Sequence, residues 1–228
     1  LALILGATGF LLAAARRRGV RSPALLLGGF ALGLMAWEMR FFARPELMTY
    51  LFLAAELYLL RRHAEAGRPG WLYALVPVQL PWTYGHALPL FGPAVLGLYA
   101  LAGLLGERRR DRHPWAAFGL CLLALVLNPY GPRGVAFMLH LGTRMESENL
   151  FAGSISELAS PFAASAHQLS PILAFKLLLP LTLIAALARL RRPRPFELGL
   201  VVVFSTLAGL AVRNISLVVV ATLPLTLA

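Results

Sequence analysis

The chain has 228 residues, of which 59% are hydrophobic, and a formal net charge of +11. Its mean hydropathy of +0.73 and its recurring apolar runs, several close to the ~20 residues that cross a bilayer, exclude an ordinary soluble domain. They predict an all-α, polytopic membrane protein. Most of the positive charge lies in short loops beside these runs, where membrane topology and anionic lipid headgroups explain it, so we expect no nucleic-acid partner.

The apolar runs predict a single transmembrane domain, residues 1–228, with nine spans. In chain order the spans are 1–15, 22–39, 46–60, 71–82, 87–105, 114–127, 171–188, 196–212 and 215–228. Pro77 and Pro81 predict that the fourth span is kinked or broken. The polar stretch 128–170 predicts a long outer loop with an amphipathic piece that reaches His140.

Arginines are distributed unevenly along the chain. Twenty of the 21 basic residues are arginine, and fifteen of these lie in four clusters, Arg16–Arg21, Arg61–Arg68, Arg108–Arg112 and Arg189–Arg194. An even number of spans separates each cluster from the next, so we predict all four on the cytoplasmic side, where positive loops stay. The other five arginines are then predicted on the outer side: Arg40, Arg44, Arg133, Arg144 and Arg213.

Arg213 lies between two apolar runs that carry no other charge close by. It is either a helix-end arginine that pairs with lipid headgroups or a guanidinium that binds a substrate phosphate through two parallel hydrogen bonds. Arg40 and Arg44 share a helix face if the helix continues between them. The Arg44-Pro45 pair instead favours a span boundary at this point.

The outer loop holds the other polar candidates. Its Asn128-Pro129-Tyr130-Gly131 sequence predicts a turn. Its carboxylates are Glu146, Glu148 and Glu157, and carboxylate oxygens suit hard cations such as Mg²⁺ or Mn²⁺. The single aspartate, Asp111, lies inside a basic cluster, so the sequence contains no outer Asp-x-Asp pair to hold a metal or act as a base.

Within the spans, small residues predict close helix packing, with Gly28, Gly29, Gly97 and Gly103 as examples. Glu56 precedes Arg61 by little more than one helical turn, and we expect it to be a structural residue that either extends to the interface or pairs with Arg61. The single cysteine, Cys121, excludes an intramolecular disulfide.

The order and spacing of these motifs resemble the GT-C class of integral-membrane glycosyltransferases, in particular a largely uncharacterised bacterial branch. The motifs that carry the resemblance are Arg44-Pro45, Trp82 to His86, Asn128 to Gly131, Glu157 to Pro161 and Arg213-Asn214-Ile215. Ser154-Ile155-Ser156-Glu157 is also similar to the Ser-Val-Ser-Glu type motif of oligosaccharyltransferase catalytic subunits. In those proteins the glutamate contacts metal and acceptor, and a later arginine contacts the lipid-linked phosphate.

The chain departs from that pattern in two ways. It lacks the Trp-Trp-Asp-Tyr-Gly motif, and it lacks the acidic residue of the first outer loop. Leu1 lies inside an apolar run, so we expect a longer protein that carries this acidic residue, as the general base, upstream of Leu1.

The resemblance implies a bacterial inner-membrane enzyme that moves a sugar from a polyprenyl-phosphate donor to an acceptor on the outer face. Arg213, with Arg44 or Arg40, would hold the donor phosphate. Glu157 would bind a divalent metal, Mg²⁺ or Mn²⁺, or orient the acceptor, and His86 would act as an acid or base. Further candidates are Asn128, Tyr130 and Asn214 for substrate binding and His140 for proton transfer. The alternatives are a transporter or lipid flippase and a non-catalytic membrane scaffold.

Overall fold

The computed structural model describes residues 1–85, 88–105, 111–147, 155–163, 170–190 and 194–228, with the backbone alone for 141–147, and this described part is all-helical. Its α-helices are α1 (Ala2–Arg17), α2 (Pro23–Trp37), α3 (Glu46–Ala66), α4 (Gly70–Tyr73), α5 (Leu75–Gly85), α6 (Phe91–Leu104), α7 (His113–Val126), α8 (Pro132–Ser147), α9 (Ser170–Ala188), α10 (Pro195–Leu210) and α11 (Ile215–Thr226). Three 3-10 turns lie at Glu38–Arg40, Ser156–Leu158 and Val212–Asn214. The predicted all-α class is therefore confirmed, and each predicted span coincides with one helix or, for the fourth, with two.

The helices differ in whether they are long enough to cross a bilayer. Among the described helices, only α9 is both long and apolar enough to cross a bilayer, judged by length and composition. Shorter apolar helices are α6, α7, α10 and α11 with its preceding turn. The positions of the nine apolar runs agree with the helices, whereas the crossing of a membrane by each run stays a prediction.

The fourth predicted span is broken, as its prolines indicated. It consists of α4 and α5, which meet at Ala74. Pro77 has no N–H to donate to the carbonyl of Tyr73, four residues earlier, and its ring crowds that carbonyl. The break therefore falls one turn before Pro77, while Pro81 lies inside α5.

Helix α11 forms the centre of the bundle. Every residue from Ile215 to Leu225 is buried, and α1, α2, α3, α9 and α10 pack around it. A helix that is apolar on all sides is stable only when it is surrounded in this way. On the α2 side the close approach requires glycine, since a Cβ at Gly29 would come within 2.2 Å of Leu227 and one at Gly33 within 2.9 Å of Leu223.

The helices place the arginine clusters at one end of the bundle. Arg17 pairs with Glu65 at 3.0 Å, which joins the C-terminal ends of α1 and α3. Arg18 pairs with Glu197, which adds the first turn of α10. His63 lies 3.4 Å from Asp111, just before α7. We call this the basic end, and the described parts of the four clusters lie here together, whereas their cytoplasmic location stays a prediction.

The predicted glycine packing holds at some positions and is wrong at others. Gly29 faces α11 and Gly97 faces Phe118, whereas nothing lies within 4 Å of a Cβ built at Gly28 or Gly103. Sequence alone does not distinguish Gly28 from Gly29, because the apolar character of α2 is nearly uniform around its axis.

These neighbours give a matched pair of substitutions. We expect Gly29→Ala to destabilise the fold by about 1–3 kcal/mol, because the new methyl overpacks the contact with Leu227. Gly28→Ala meets open space and should be neutral or stabilise by up to about 1 kcal/mol, through helix propensity alone. Thermal unfolding of the purified variants measures the difference, and equal midpoints for the two would contradict the packing of α2 on α11.

Candidate functional site

Two arginines converge on one carboxylate at the end of the bundle opposite the basic end. Arg40 Nη1 lies 2.9 Å from Glu157 Oε2, and Arg44 Nη1 lies 3.1 Å from Glu157 Oε1. Arg40 also reaches Glu46 Oε2 at 3.3 Å. Arg40 is buried, while the side chains of Arg44, Glu157 and Glu46 are 44, 37 and 31% exposed. We call these four residues the Glu157 cluster.

The local backbone explains how Arg40 and Arg44 reach the same partner. The helix does not continue between them: α2 ends at Trp37, the turn Glu38–Arg40 follows, and α3 begins after Pro45. Proline restricts the backbone of Arg44 and starts the new helix. The two guanidinium groups therefore meet through a change of chain direction and not through a shared helix face.

Glu157 is held in place by the segment 155–163, which we call the bridging segment. The carbonyl of Ala159 accepts a hydrogen bond from Val212 N at 2.9 Å, and Ser160 Oγ donates to the carbonyl of Gly209 at 2.8 Å. Phe162 packs against Phe175 of α9, with ring centroids 6.1 Å apart. The segment thus connects the α2–α3 turn to α9 and to the turn that precedes α11.

That second turn carries Arg213 and Asn214. The 3-10 turn Val212–Asn214 contacts the turn Ser156–Leu158, so the structure brings the stretch that holds Arg213 beside the stretch that holds Glu157. Asn214 Nδ2 donates to the carbonyl of Leu207 at 2.8 Å, which closes the end of α10. The sequence-predicted residues Arg40, Arg44, Glu157 and Arg213 are therefore brought to one region.

Tyr50 and Ser216 were missed by the sequence reasoning. Tyr50 is buried one helical turn after Glu46, and it lies close to the Ser216 side chain at the start of α11. The i, i+4 spacing of Glu46 and Tyr50 was the signal available in the sequence, because it places both on one face of α3. Tyr50 and Ser216 therefore lie next to the Glu157 cluster, of which Glu46 is a member.

The predicted metal does not fit the arrangement around Glu157. Each of its carboxylate oxygens is within 3.1 Å of a guanidinium nitrogen, and two adjacent positive charges oppose a divalent cation. The described residues also contain no group of three or more His, Cys, Asp or Glu side chains that could hold a metal. The metal expectation stays a prediction.

Other predicted residues have structural partners or lie elsewhere. Asn128 Nδ2 donates to the carbonyls of Leu125 and Gly131, and its Oδ1 accepts from Tyr130 N at 2.8 Å, which forms the predicted turn. The Tyr130 side chain is exposed. His140 lies on α8, its Nδ1 2.7 Å from the carbonyl of Ala136. His86 lies outside the described residues.

Neither alternative for Glu56 is found: it does not pair with Arg61 among the described contacts, and it does not extend to the interface. Arg61 Nε bonds Glu65 at 2.7 Å, and Arg61 is not paired with Glu56 among the described contacts. Glu56 faces inward at the middle of α3, where it is buried, and its Oε2 has no hydrogen-bond partner in the described part of the chain. Arg61 pairs with Glu65 instead, because the i, i+4 spacing places both side chains on one face of α3 near its C-terminal end.

Comparison with known proteins does not assign the chain to a family: no protein-family model, curated protein or solved structure matches it significantly. The resemblance to GT-C glycosyltransferases therefore stays a proposal.

The charge of Glu157 depends on its two arginines. Partial burial raises the pKa of the Glu157 carboxyl, but the charges and hydrogen bonds of Arg40 and Arg44 outweigh burial and hold the pKa below its usual value. A lowered pKa in the folded state means that the pairing stabilises the fold above the ordinary carboxyl pKa. This stabilisation is lost as the pH falls through the lowered pKa.

We expect Arg40→Gln to raise the pKa of Glu157 more than Arg44→Gln does. Arg40 contributes the larger attraction, and the burial that opposes ionisation remains after either substitution. A ¹³C NMR titration of labelled glutamate carboxyl carbons measures both shifts, with Glu157→Gln to identify the signal. An unchanged pKa in Arg40→Gln would show that the two side chains are not paired in solution.

Proposed function

We propose that the chain is a polytopic protein of a bacterial inner membrane, with its nine apolar segments crossing the bilayer. Large apolar side chains on the outward faces of the helices support this, since soluble proteins rarely expose extended apolar surface. On α9 alone the exposed residues are Leu173, Leu177, Leu181, Leu183, Ile184 and Leu187. The gathering of the arginine clusters at the basic end supports an orientation with that end in the cytoplasm.

The short helices are compatible with this arrangement. Helices of 14 to 16 residues, such as α6 and α10, are about 21–24 Å long, against a hydrocarbon core of ~30 Å. Local bilayer thinning and arginine side chains that extend from the helix ends to the interface accommodate such a difference. The basic end is rich in arginines of that kind.

We further propose that the protein is a GT-C-like glycosyltransferase that binds a polyprenyl-phosphate sugar at the Glu157 cluster, on the outer side. The observation that carries this proposal is the convergence of Arg40 and Arg44 on a single carboxylate, beside the turn of Arg213. A pair of guanidinium groups that holds two carboxylate oxygens can equally hold two phosphate oxygens. Glu157 thus occupies the position that we assign to the phosphate of the donor.

In the proposed transfer, an acceptor oxygen forms a bond to the anomeric carbon of the sugar while the bond from that carbon to the phosphate oxygen breaks. The acceptor proton passes to a base, and negative charge grows on the departing polyprenyl phosphate. Arg40, Arg44 and Arg213 would neutralise that charge from fixed positions. Preorganised charge of this kind is commonly the largest contribution to such reactions.

Glu157 has a different role in this proposal from the metal ligand that the resemblance implied. While it pairs with Arg40 and Arg44 it keeps the two guanidinium groups in position, and it is displaced when phosphate binds. Loss of its charge should therefore strengthen phosphate binding, whereas a metal- or acceptor-binding glutamate would leave donor binding unchanged or weaken it.

The test is binding of a polyprenyl phosphate that carries a radiolabelled hexose to the purified protein. We expect Arg213→Gln and Arg40→Gln each to weaken binding about ten- to hundredfold, because each removes charge-assisted hydrogen bonds worth about 1.5–3 kcal/mol. Glu157→Gln should strengthen binding, since it releases both arginines. Arg133→Gln is the control, because Arg133 is an exposed arginine on α8, outside the Glu157 cluster.

Equal affinity in the wild type, Arg213→Gln and Arg40→Gln would remove the phosphate site and with it the glycosyltransferase proposal. Weaker binding in Glu157→Gln would preserve the site but reject displacement of Glu157, and would return that residue to an acceptor- or metal-binding role.

Glu56 favours a second candidate function, a proton-coupled transporter. It lies halfway along the 21-residue helix α3, so about 15 Å of helix separates it from each end. It is buried, and no described group hydrogen-bonds its Oε2. An ionisable side chain in the middle of a membrane span is costly and marks ion or proton pathways more often than structural positions.

We expect Glu56→Gln to reduce proton-coupled flux to background if the protein is such a transporter, because glutamine cannot bind and release a proton. Flux is followed with a pH-sensitive dye inside proteoliposomes under an imposed pH gradient. Glu38→Gln, an exposed glutamate outside α3, is the matched control. Identical flux with Glu56→Gln and wild type would eliminate the transporter candidate, and thermal unfolding of the same variant shows whether the protein remains folded.

A further inference from the structure

Glu197 is the centre of a second arginine cluster, at the basic end. Three guanidinium groups approach the same carboxylate oxygen, Oε1: Arg18 forms a close ion pair, Arg194 Nη1 lies at 3.3 Å and Arg61 Nη1 at 3.9 Å. The other oxygen, Oε2, is buried and has no hydrogen-bond partner among the described residues. The same holds for Nε of Arg18. A buried acceptor and a buried donor therefore lie close together, each without a described partner.

The residues that carry these two atoms, Arg18 and Glu197, line a cavity. A cavity of about 60 Å³ lies between α1, α3, α6, α10 and α11, and its lining includes Arg18, Arg61 and Glu197. A smaller cavity of about 10 Å³ lies on the α9 side of Glu197, beside Arg189 and Arg194. Most other residues that line the larger cavity are apolar. Since about 15 Å³ is enough for one water-sized group, the larger cavity accommodates a group of about the size of a phosphate.

The charges around the cavities favour an anion. Among the described residues, the contacting network contains four arginines, Arg17, Arg18, Arg61 and Arg194, and two carboxylates, Glu65 and Glu197. The excess positive charge therefore suits a phosphate. Glu197 Oε2 requires in addition a group that donates a hydrogen bond, such as a hydroxyl. A cavity that is lined by apolar side chains and by arginines fits an amphiphile and not a small soluble anion.

We propose that this cavity binds the headgroup of an anionic, hydroxyl-bearing glycerophospholipid of the phosphatidylglycerol class. Arg18 and Arg61 bind the phosphodiester, and a headgroup hydroxyl donates to Glu197 Oε2. The acyl chains lie against the apolar surface of the helices. This inference rests on the proposed membrane insertion but is independent of the glycosyltransferase proposal, because the cavity lies at the opposite end of the bundle from the Glu157 cluster.

The test uses the purified full chain in a neutral detergent, with lipid binding followed by native mass spectrometry and by thermal unfolding. We expect phosphatidylglycerol to bind and to raise the unfolding temperature, and phosphatidylcholine and soluble glycerol 3-phosphate to have little effect. Arg18→Gln and Arg61→Gln should each weaken phosphatidylglycerol binding about tenfold or more, by loss of a charged hydrogen bond. Arg16→Gln is the matched control, because Arg16 is exposed on the same turn of α1.

Glu197→Gln tests the hydroxyl contact. The amide oxygen remains with the three arginines, so the NH₂ group replaces Oε2 and cannot accept a hydrogen bond. The wild type should bind phosphatidylglycerol several-fold more tightly than phosphatidylethanol, an anionic lipid without a headgroup hydroxyl, and Glu197→Gln should lose this preference. Arg61→Gln provides an independent result if Arg18→Gln fails to fold.

The proposal is overturned if phosphatidylglycerol and phosphatidylcholine bind alike, if Arg18→Gln and Arg61→Gln bind phosphatidylglycerol as the wild type does, or if glycerol 3-phosphate alone binds and stabilises. Arg213→Gln should leave phosphatidylglycerol binding unchanged. Failure of this site and failure of the donor site are therefore distinguishable in the same set of variants.

Discussion

The burial of α11 is the constraint on which the rest of the structure depends. An apolar helix with buried residues on every side leaves no face for solvent, so five neighbouring helices must surround it. Its first residues follow the turn of Arg213, and its last residues lie among the helices of the basic end. The position of α11 therefore fixes both ends of the bundle, and the arginine clusters around Glu157 and Glu197 lie where the surrounding helices end.

Both ends of the bundle pair arginines with a glutamate carboxylate, but the geometry of the pairing differs. At the Glu157 cluster, two arginines hold both oxygens of a partly exposed carboxylate, and each oxygen is satisfied. At the basic end, three arginines approach one oxygen of a buried carboxylate and leave the other without a described partner. The first arrangement is complete and must be opened for an anion to bind. The second is incomplete and accepts an added group without losing an existing pair.

The sequence predicts the positions of most helices, but it does not predict which distant side chains contact each other. The apolar runs predicted where the apolar helices lie, Pro77 and Pro81 predicted a kink or break in the segment 71–82, and arginine spacing predicted which helix ends lie together, because these are local or additive properties. The partners of Glu157 lie more than 100 residues away along the chain, so spacing could not reveal them. Glu197 and Arg18 are likewise too far apart along the chain for spacing to reveal their pairing. Within α2, the apolar pattern has no periodicity that would distinguish Gly28 from Gly29.

The exposure of the Glu157 cluster determines how an anion could enter it. An ion pair that is partly exposed contributes little net stability, because water solvates both partners when they separate. The buried Arg40 nevertheless needs a counter-ion at all times, since an isolated buried charge is far more costly than a paired one. An exchange of carboxylate for phosphate satisfies both conditions, because Arg40 keeps a negative partner throughout while Glu157 moves into water. The bridging segment can therefore release its glutamate without leaving a buried charge unpaired.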